Sequence, residues 1–361
     1  MKKSVFTFLL ALTLLAGSLC GFIVFLGYEF TQTAMSTESQ EVIYEVIPGK
    51  GFQQIATELF QQKVIKNATA FSLYARIKNL RGKIKTGEYL LNRNMKPDQI
   101  LSVLTSGKSI ARPLTISEGL NIFEIADLVE KAKVGTAADF MTTVRDPLFI
   151  QGLFKEAGLS IAIPPSLEGF LYPETYQVTK FTDIKSLVRS MFAGFVKVFS
   201  AIQMSNYPNQ LSPLEIVTLA SIIEKETGAP EERPLISSVF HNRMVKKMRL
   251  QTDPTIIYGI AMETGKVPEN ISRADILRPT KYNTYSIYGL PPGPISNPGR
   301  ESLLAAMKPV ESRALFFVSQ NNGTHIFSET LEQHTNAVKK FQIDPKAREG
   351  KSWRDLKKEQ H

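Results

Sequence analysis

Two glutamates close the apolar run Leu219-Ala220-Ser221-Ile222-Ile223-Glu224-Lys225-Glu226-Thr227, and a polar segment, Arg249-Leu250-Gln251-Thr252-Asp253-Pro254-Thr255, follows downstream. A carboxyl group placed where a helix packs on a core and loses solvent is a candidate general acid. Burial disfavours its ionised form and keeps a proton available near neutral pH. The chemistry this suggests is cleavage of a bond whose leaving atom needs a proton.

The element that must carry these acids is legible. Ser212-Pro213-Leu214-Glu215 has the form of a capping box with proline at the first helical position, and Gly228 is expected to close the helix in a left-handed conformation. Ile216, Leu219, Ala220 and Ile223 recur at helical spacing and predict a core-facing stripe. Glu224 and Glu226 project from nearly opposite flanks of that stripe, with Lys225 pointing away, so periodicity does not choose between them. Glu226 is nearer the carbonyl end, where the macrodipole disfavours negative charge and raises a carboxyl pKa. The competing reading makes both of them ordinary solvated acids at a helix end.

Several linked stretches carry a resemblance. They are Glu168-Gly169-Phe170-Leu171-Tyr172-Pro173-Glu174-Thr175-Tyr176, Ala220-Ser221-Ile222-Ile223-Glu224-Lys225-Glu226-Thr227, Val239-Phe240-His241-Asn242-Arg243, Arg249 to Gly259, Tyr282-Asn283-Thr284-Tyr285 and Gly289-Leu290-Pro291-Pro292-Gly293-Pro294-Ile295. In order and spacing they resemble the endolytic murein transglycosylase family, also called MltG or YceG-like. The resemblance implies a lyase acting on peptidoglycan. The 6-hydroxyl of an N-acetylmuramic acid attacks its own anomeric carbon and leaves a 1,6-anhydro end, and one protein carboxyl serves as acid and then base. By that resemblance the catalytic group is Glu226. Gln251, Tyr282, Asn283, Tyr285 and Glu168 are the expected substrate-binding residues, and Asp253 is expected mainly to form a turn before Pro254. Pro291-Pro292-Gly293-Pro294 reads as a rigid loop, either a cleft wall or punctuation. The alternative in another class is a non-catalytic, membrane-anchored peptidoglycan-binding or scaffold protein.

Other chemistries lack their signatures. There is no His-Glu-x-x-His and no metal-ligand spacing among His241, His325, His334 and His361, and the Gly-x-Ser-x-Gly nucleophile turn is missing. Ser106-Gly107-Lys108-Ser109 echoes a phosphate loop, but Ser102 stands where the earlier glycine is required. His325 and His334 read as packing or surface residues. No metal and no cofactor are expected.

Residues 5–28 form a run of about 24 residues without formal charge, long enough to span a bilayer, after Lys2 and Lys3 and before Glu29, Glu38 and Glu41. The expected topology is a single-pass anchor with a cytoplasmic N-terminus and an extracytoplasmic catalytic region. A cleaved signal competes, but its apolar core is ordinarily only about 7–15 residues. The single cysteine, Cys20, lies in this run, so the exported part can hold no disulfide. The formal charge of +9 suits an anionic membrane face or wall polymer. Nucleic acid is not an expected partner, whereas glycan strands, the membrane and the synthases that build the strands are.

The expected fold class is α+β: a transmembrane helix, a small LysM-like β/α subdomain and a mixed α/β catalytic domain. The expected boundaries are a cytoplasmic tail at 1–4, the span at 5–28, a linker at 29–41 and the LysM-like part at 42–110. A second β/α unit with connecting region follows at 111–200, then the catalytic region at 201–342 and a charged tail at 343–361. Residues 31–40, rich in Ser, Thr and Gln, read as a short stalk. Ile125-Ala126 falls 70 positions after Ile55-Ala56, each preceded by a strand-and-glycine pattern, which suggests a degenerate repeat.

Overall fold

The computed structural model describes residues 14–344, except 16, 19–20, 22–24, 26, 204–210 and 228. The tail at 1–4, Cys20, most of the apolar run at 5–28, the Gly228 cap and the tail from 345 onward therefore lie outside the described residues. Among the described residues no helix is long and apolar enough to cross a membrane. The chain divides into two compact units, one within residues 1–112 with 177–181 and the other within 113–176 with 182–361.

The first unit runs β1 (Glu41–Val46), α1 (Phe52–Gln61), α2 (Ala68–Ile77), β2 (Gly87–Asn92) and α3 (Pro97–Ser106). β1 and β2 pair antiparallel, from Glu41 opposite Asn92 to Val46 opposite Gly87. Because side chains alternate across a strand, Tyr44, Val46, Tyr89 and Leu91 are buried while Ile43 and Leu90 face outward. The buried set meets Ile55, Ala56 and Leu59 of α1 and Ile100, Leu101 and Leu104 of α3 in one core. Each such side chain contributes about 1.5–3 kcal/mol by leaving water.

The stretch that composition marks as a stalk is tied down. The Thr31 and Thr33 hydroxyls donate to the carbonyls of Tyr28 and Glu29 at 2.7 and 2.6 Å. The Ser36 amide donates to Arg93 O at 2.9 Å, and the Gln40 amide to Asn92 Oδ1 at 3.0 Å. A polar segment without periodicity looks free in sequence, yet its backbone finds partners on β2 and the residues after it.

The second unit opens with β3 (Arg112–Thr115), α4 (Ile122–Lys131), α5 (Ala137–Thr143), α6 (Pro147–Glu156), β4 (Thr175–Val178) and α7 (Ile184–Gln203), with β3 beside β4. The two copies of the suggested repeat end alike in the backbone. After α1 the amides of Gln62, Lys63 and Val64 donate to Glu58, Phe60 and Leu59, and after α4 those of Ala132, Lys133 and Val134 donate to Leu128, Glu130 and Val129. Lys63 and Lys133 both sit in the left-handed region, at φ 57° and 58°. These are two Schellman terminations 70 positions apart.

The unit continues with α8 (Pro213–Glu226), α9 (Arg233–Val245), α10 (Asp253–Thr264), α11 (Arg273–Leu277), α12 (Arg300–Met307), β5 (Phe316–Ser319), β6 (His325–Ser328) and α13 (Leu331–Val338). The Ser212 capping box forms, with its amide and hydroxyl on Glu215 Oε2 at 2.8 and 2.7 Å. The sequence predicts a single apolar stripe on α8, but all eight residues from Ile216 to Ile223 are buried, because α9, α10 and α12 pack around the helix. Ser221, on the polar side of the predicted wheel, earns its place through two bonds. Its hydroxyl accepts from the Ile295 amide at 3.0 Å, and its carbonyl accepts from the Ser296 hydroxyl at 3.1 Å. The proline-rich loop is thus pinned to α8. Gly169, at φ +85°, fits there because a Cβ would stand 2.5 Å from Pro294 Cγ.

Candidate active site

The two glutamates at the end of α8 have different surroundings. Glu224 is 5% exposed and pairs with Arg233 Nη2 at 3.0 Å, while its second oxygen accepts from the Gly299 amide at 2.9 Å. A buried, ion-paired carboxylate with both oxygens occupied is a structural joint. Glu226 is only partly buried and opens on a cavity of about 390 Å³. Burial pushes its carboxyl up to about 7, with the nearby Asp253 charge adding to the rise, while the Thr252 hydrogen bond and Arg243 act the other way. A carboxyl poised near neutrality can both donate and recover a proton. α8 ends at Thr227 in an extended conformation, φ −139° and ψ 141°, which turns the chain away directly after the acid.

The segment after α9 forms the opposite wall. Arg243, 8% exposed, donates from Nε to Leu315 O at 2.6 Å and from Nη1 to Leu250 O at 2.8 Å, and lies over the Phe316 ring at 5.2 Å. Asn242 donates to the carbonyls of Ser312 and Ala314 at 2.9 and 3.0 Å. These two residues organise the helix end, as their position after Phe240 suggests, by tying it to the strand that follows. Gln251 then adopts φ 52°, an uncommon left-handed conformation for a residue with a side chain, and lines the cavity. Thr252 donates its hydroxyl to Glu226 Oε1.

Asp253 does more than turn the chain. It opens α10, lines the same cavity and accepts the Tyr285 hydroxyl at 2.7 Å. A second carboxylate therefore shares the cleft with Glu226, which a turn-forming role alone does not anticipate. Phe316, Phe317 and Leu331 supply apolar walls, and His334 joins them, stacked on Phe316 at 5.1 Å. Burial lowers the His334 pKa, with the Arg243 charge contributing, which favours the neutral ring.

Of the six residues singled out in sequence, Glu226, Gln251 and Tyr285 meet in this cavity. Asn283 is fully buried and acts behind it: Nδ2 donates to Ile276 O and Arg278 O at 2.9 and 2.7 Å, and Oδ1 accepts the Tyr285 amide at 2.9 Å. Tyr282 packs edge-on against Tyr258 at 4.9 Å. Glu168 lies in the interior, 2% exposed, and accepts the Ile122 amide at 3.0 Å and Asn297 Nδ2 at 2.9 Å. Burial raises its carboxyl to about 8 despite these bonds and one from Tyr258. Neither Tyr282 nor Glu168 is among the residues lining the cavity. Thr252, Phe316, Phe317, Leu331 and His334 were not singled out as site residues, because each is an ordinary loop, strand or helix residue until the chain folds back. Among the described residues no group of three or more His, Cys, Asp or Glu could hold a metal.

One partly buried acid with a raised pKa, held against a hydroxyl, a second carboxylate and aromatic walls, defines a carboxyl-dependent site for a polar substrate with apolar faces. The chain belongs to the YceG-like family, whose model matches residues 44–340. A Bacillus subtilis protein named endolytic murein transglycosylase is 33% identical over 302 residues, covering 81% of this chain and 82% of that protein. A Streptococcus pneumoniae protein of the same name is 31% identical over 366 residues, covering 93% of this chain and 65% of its own length. The crystal structure of a YceG-like protein from Listeria monocytogenes is also similar. It has a TM-score of 0.56 at 34% identity, over 83% of this chain and all of that one.

Proposed function

We propose that this chain is an endolytic murein transglycosylase, a lyase that cuts the bond between N-acetylmuramic acid and N-acetylglucosamine within glycan strands. The observation that carries the catalytic assignment is Glu226, a cleft carboxyl raised to about 7 beside Thr252. The names of the Bacillus and Streptococcus relatives support the reaction class.

In this reading protonated Glu226 gives its proton to the glycosidic oxygen as the C1–O bond breaks. The muramic 6-hydroxyl attacks C1 and passes its proton back to the Glu226 carboxylate, so the enzyme ends as it began and no water is consumed. Gln251 and Tyr285 are assigned to sugar hydroxyl and acetamido groups, with Asn283 and Tyr282 supporting them from behind. The Phe316 and Phe317 rings are suited to apolar sugar faces. The apolar run at 5–28 anchors the chain, and the catalytic unit works outside the cytoplasmic membrane, beside the synthases that extend the strands. The first unit is the LysM-like part.

The deciding experiment is digestion of purified peptidoglycan in heavy-oxygen water with mass spectrometry of the products. Unlabelled 1,6-anhydro ends, lighter than hydrolysed ends by one water, about 18 Da, are expected. Labelled reducing ends would show that water is the nucleophile and would make the enzyme a hydrolase, with Asp253 the carboxylate nearest at hand to activate it.

A further inference from the structure

Helix α2 carries an exposed apolar face. Leu73 and Ile77, four positions apart on one side of the helix, are 55% and 74% exposed. Exposed basic residues lie in the same segment: Lys66 precedes the helix, and Arg76 and Lys78 are the sequence neighbours of Ile77. The acidic group at this edge is Asp98, which Lys78 approaches at 3.7 Å and to which Tyr74 donates at 2.8 Å. Exposed apolar side chains accompanied by exposed cations on one helix match an anionic lipid surface, where the apolar groups enter the acyl boundary and the cations meet phosphates.

The end of the apolar run arrives at this place. The helical residues 27–32 come against α2 and the start of α3, with Phe30 edge-on to Tyr74 at 6.5 Å and Lys96 Nζ donating to Gln32 Oε1 at 2.9 Å. Gly27, Tyr28, Thr31 and Gln32 share a pocket of about 700 Å³ with Ile77 and Lys78. Tyr28 is 65% exposed, at the level where aromatic side chains sit in a membrane interface. The helix end is also tied to the rest of the unit, by Lys96 on Gln32 and, further along the chain, by the Ser36 and Gln40 amides on Arg93 and Asn92.

We propose that the first unit docks on the anionic bilayer surface through Leu73 and Ile77 of α2, with Lys66, Arg76 and Lys78 facing the headgroups. The proposal rests on the anchor reading of residues 5–28. It gives this face a lipid partner, distinct from the glycan partner expected of a LysM-like part.

The test uses the full chain in nanodiscs containing phosphatidylglycerol, with an environment-sensitive fluorophore on one cysteine at a time and lipid-borne quenchers. Native Cys20 reports the anchor. In a Cys20→Ser background, Ile77→Cys reports the docking face, and Ile43→Cys, on the outward face of the sheet and 63% exposed, is the reference. Both new sites are exposed, so the fold is not at risk. Quenching at position 77 by interfacial quenchers at least about two-fold stronger than at position 43, with strong deep quenching at Cys20, is expected. Equal, weak quenching at 77 and 43 with Cys20 quenched would overturn the docking and leave the anchor standing. An unquenched Cys20 would overturn both.

Discussion

Thr252 is the donor and Glu226 the acceptor in the contact that joins the end of α8 to the start of α10. A hydroxyl in this position can follow the acid through both protonation states, accepting from the carboxyl and donating to the carboxylate. The acid therefore keeps one orientation while its proton leaves and returns.

Replacing Glu226 by Gln keeps shape and hydrogen bonding but removes the transferable proton. Turnover of peptidoglycan should fall about 10²–10⁴-fold with KM little changed. The ordinary carboxyl range lies near 4.5 and the folded value near 7, so Glu226 contributes a loss of stability as pH rises through that window, and the variant lacks this contribution. Melting curves at pH 5 and 8 should show the variant gaining on the wild type by up to about 3 kcal/mol, less whatever solvent screening removes. Unchanged turnover in Glu226→Gln would remove the acid from its role.

The neighbours of Glu226 should move the alkaline limb of the rate profile in opposite directions. Thr252→Val deletes a bond that lowers the pKa, so activity should persist to higher pH. Asp253→Asn deletes a charge that raises it, so activity should fail at lower pH. Both follow from kcat/KM measured between pH 5 and 9. Shifts of the same sign in the two variants would contradict the electrostatic account.

Glu224→Gln tests the other glutamate. Removing one partner of the buried Glu224–Arg233 pair should cost about 3 kcal/mol of stability, read in denaturant melts. At temperatures well below the melt, turnover should stay near that of the wild type. A large loss of turnover without a loss of stability would mean that the roles of the two glutamates are reversed.

Glu168→Gln probes the interior carboxyl. Both of its oxygens face N–H donors, from Ile122 and Asn297, so the amide nitrogen must meet one of them, at a cost of about 1–2 kcal/mol at pH 5. The wild type should then lose more stability than the variant as pH climbs from 4.5 through about 8, the variant keeping only the loss due to Glu226. Parallel pH profiles of unfolding free energy would show that the carboxyl is not protonated in the fold.

What the sequence made legible was what is local. The capping box at Ser212, the helical spacing of α8 and the strand-and-turn patterns of both repeat copies all depend on neighbours within a few positions. Glu226 was reachable because the helix dipole and the family resemblance agree on it. The walls of its cleft were not, since Phe316, Phe317 and His334 reach it from segments about 90 to 110 positions away and carry no local mark. The surroundings of Glu168 and Asn283 were hidden for the opposite reason. A polar side chain in a loop looks available for ligand, and only packing shows that its bonds are spent on backbone amides and carbonyls.

The burial of α8 on every side divides the labour of change within this protein. The acid is mounted at the end of a helix with eight consecutive buried residues. The surfaces that would touch substrate come from the 249–253 segment, the 283–285 turn and the β5–α13 edge. Outside Thr252 and Asp253, which set the acid itself, substitutions can accumulate in those borders, altering which strand is accepted, without moving the proton donor. The architecture lets substrate preference evolve while the chemistry stays in place.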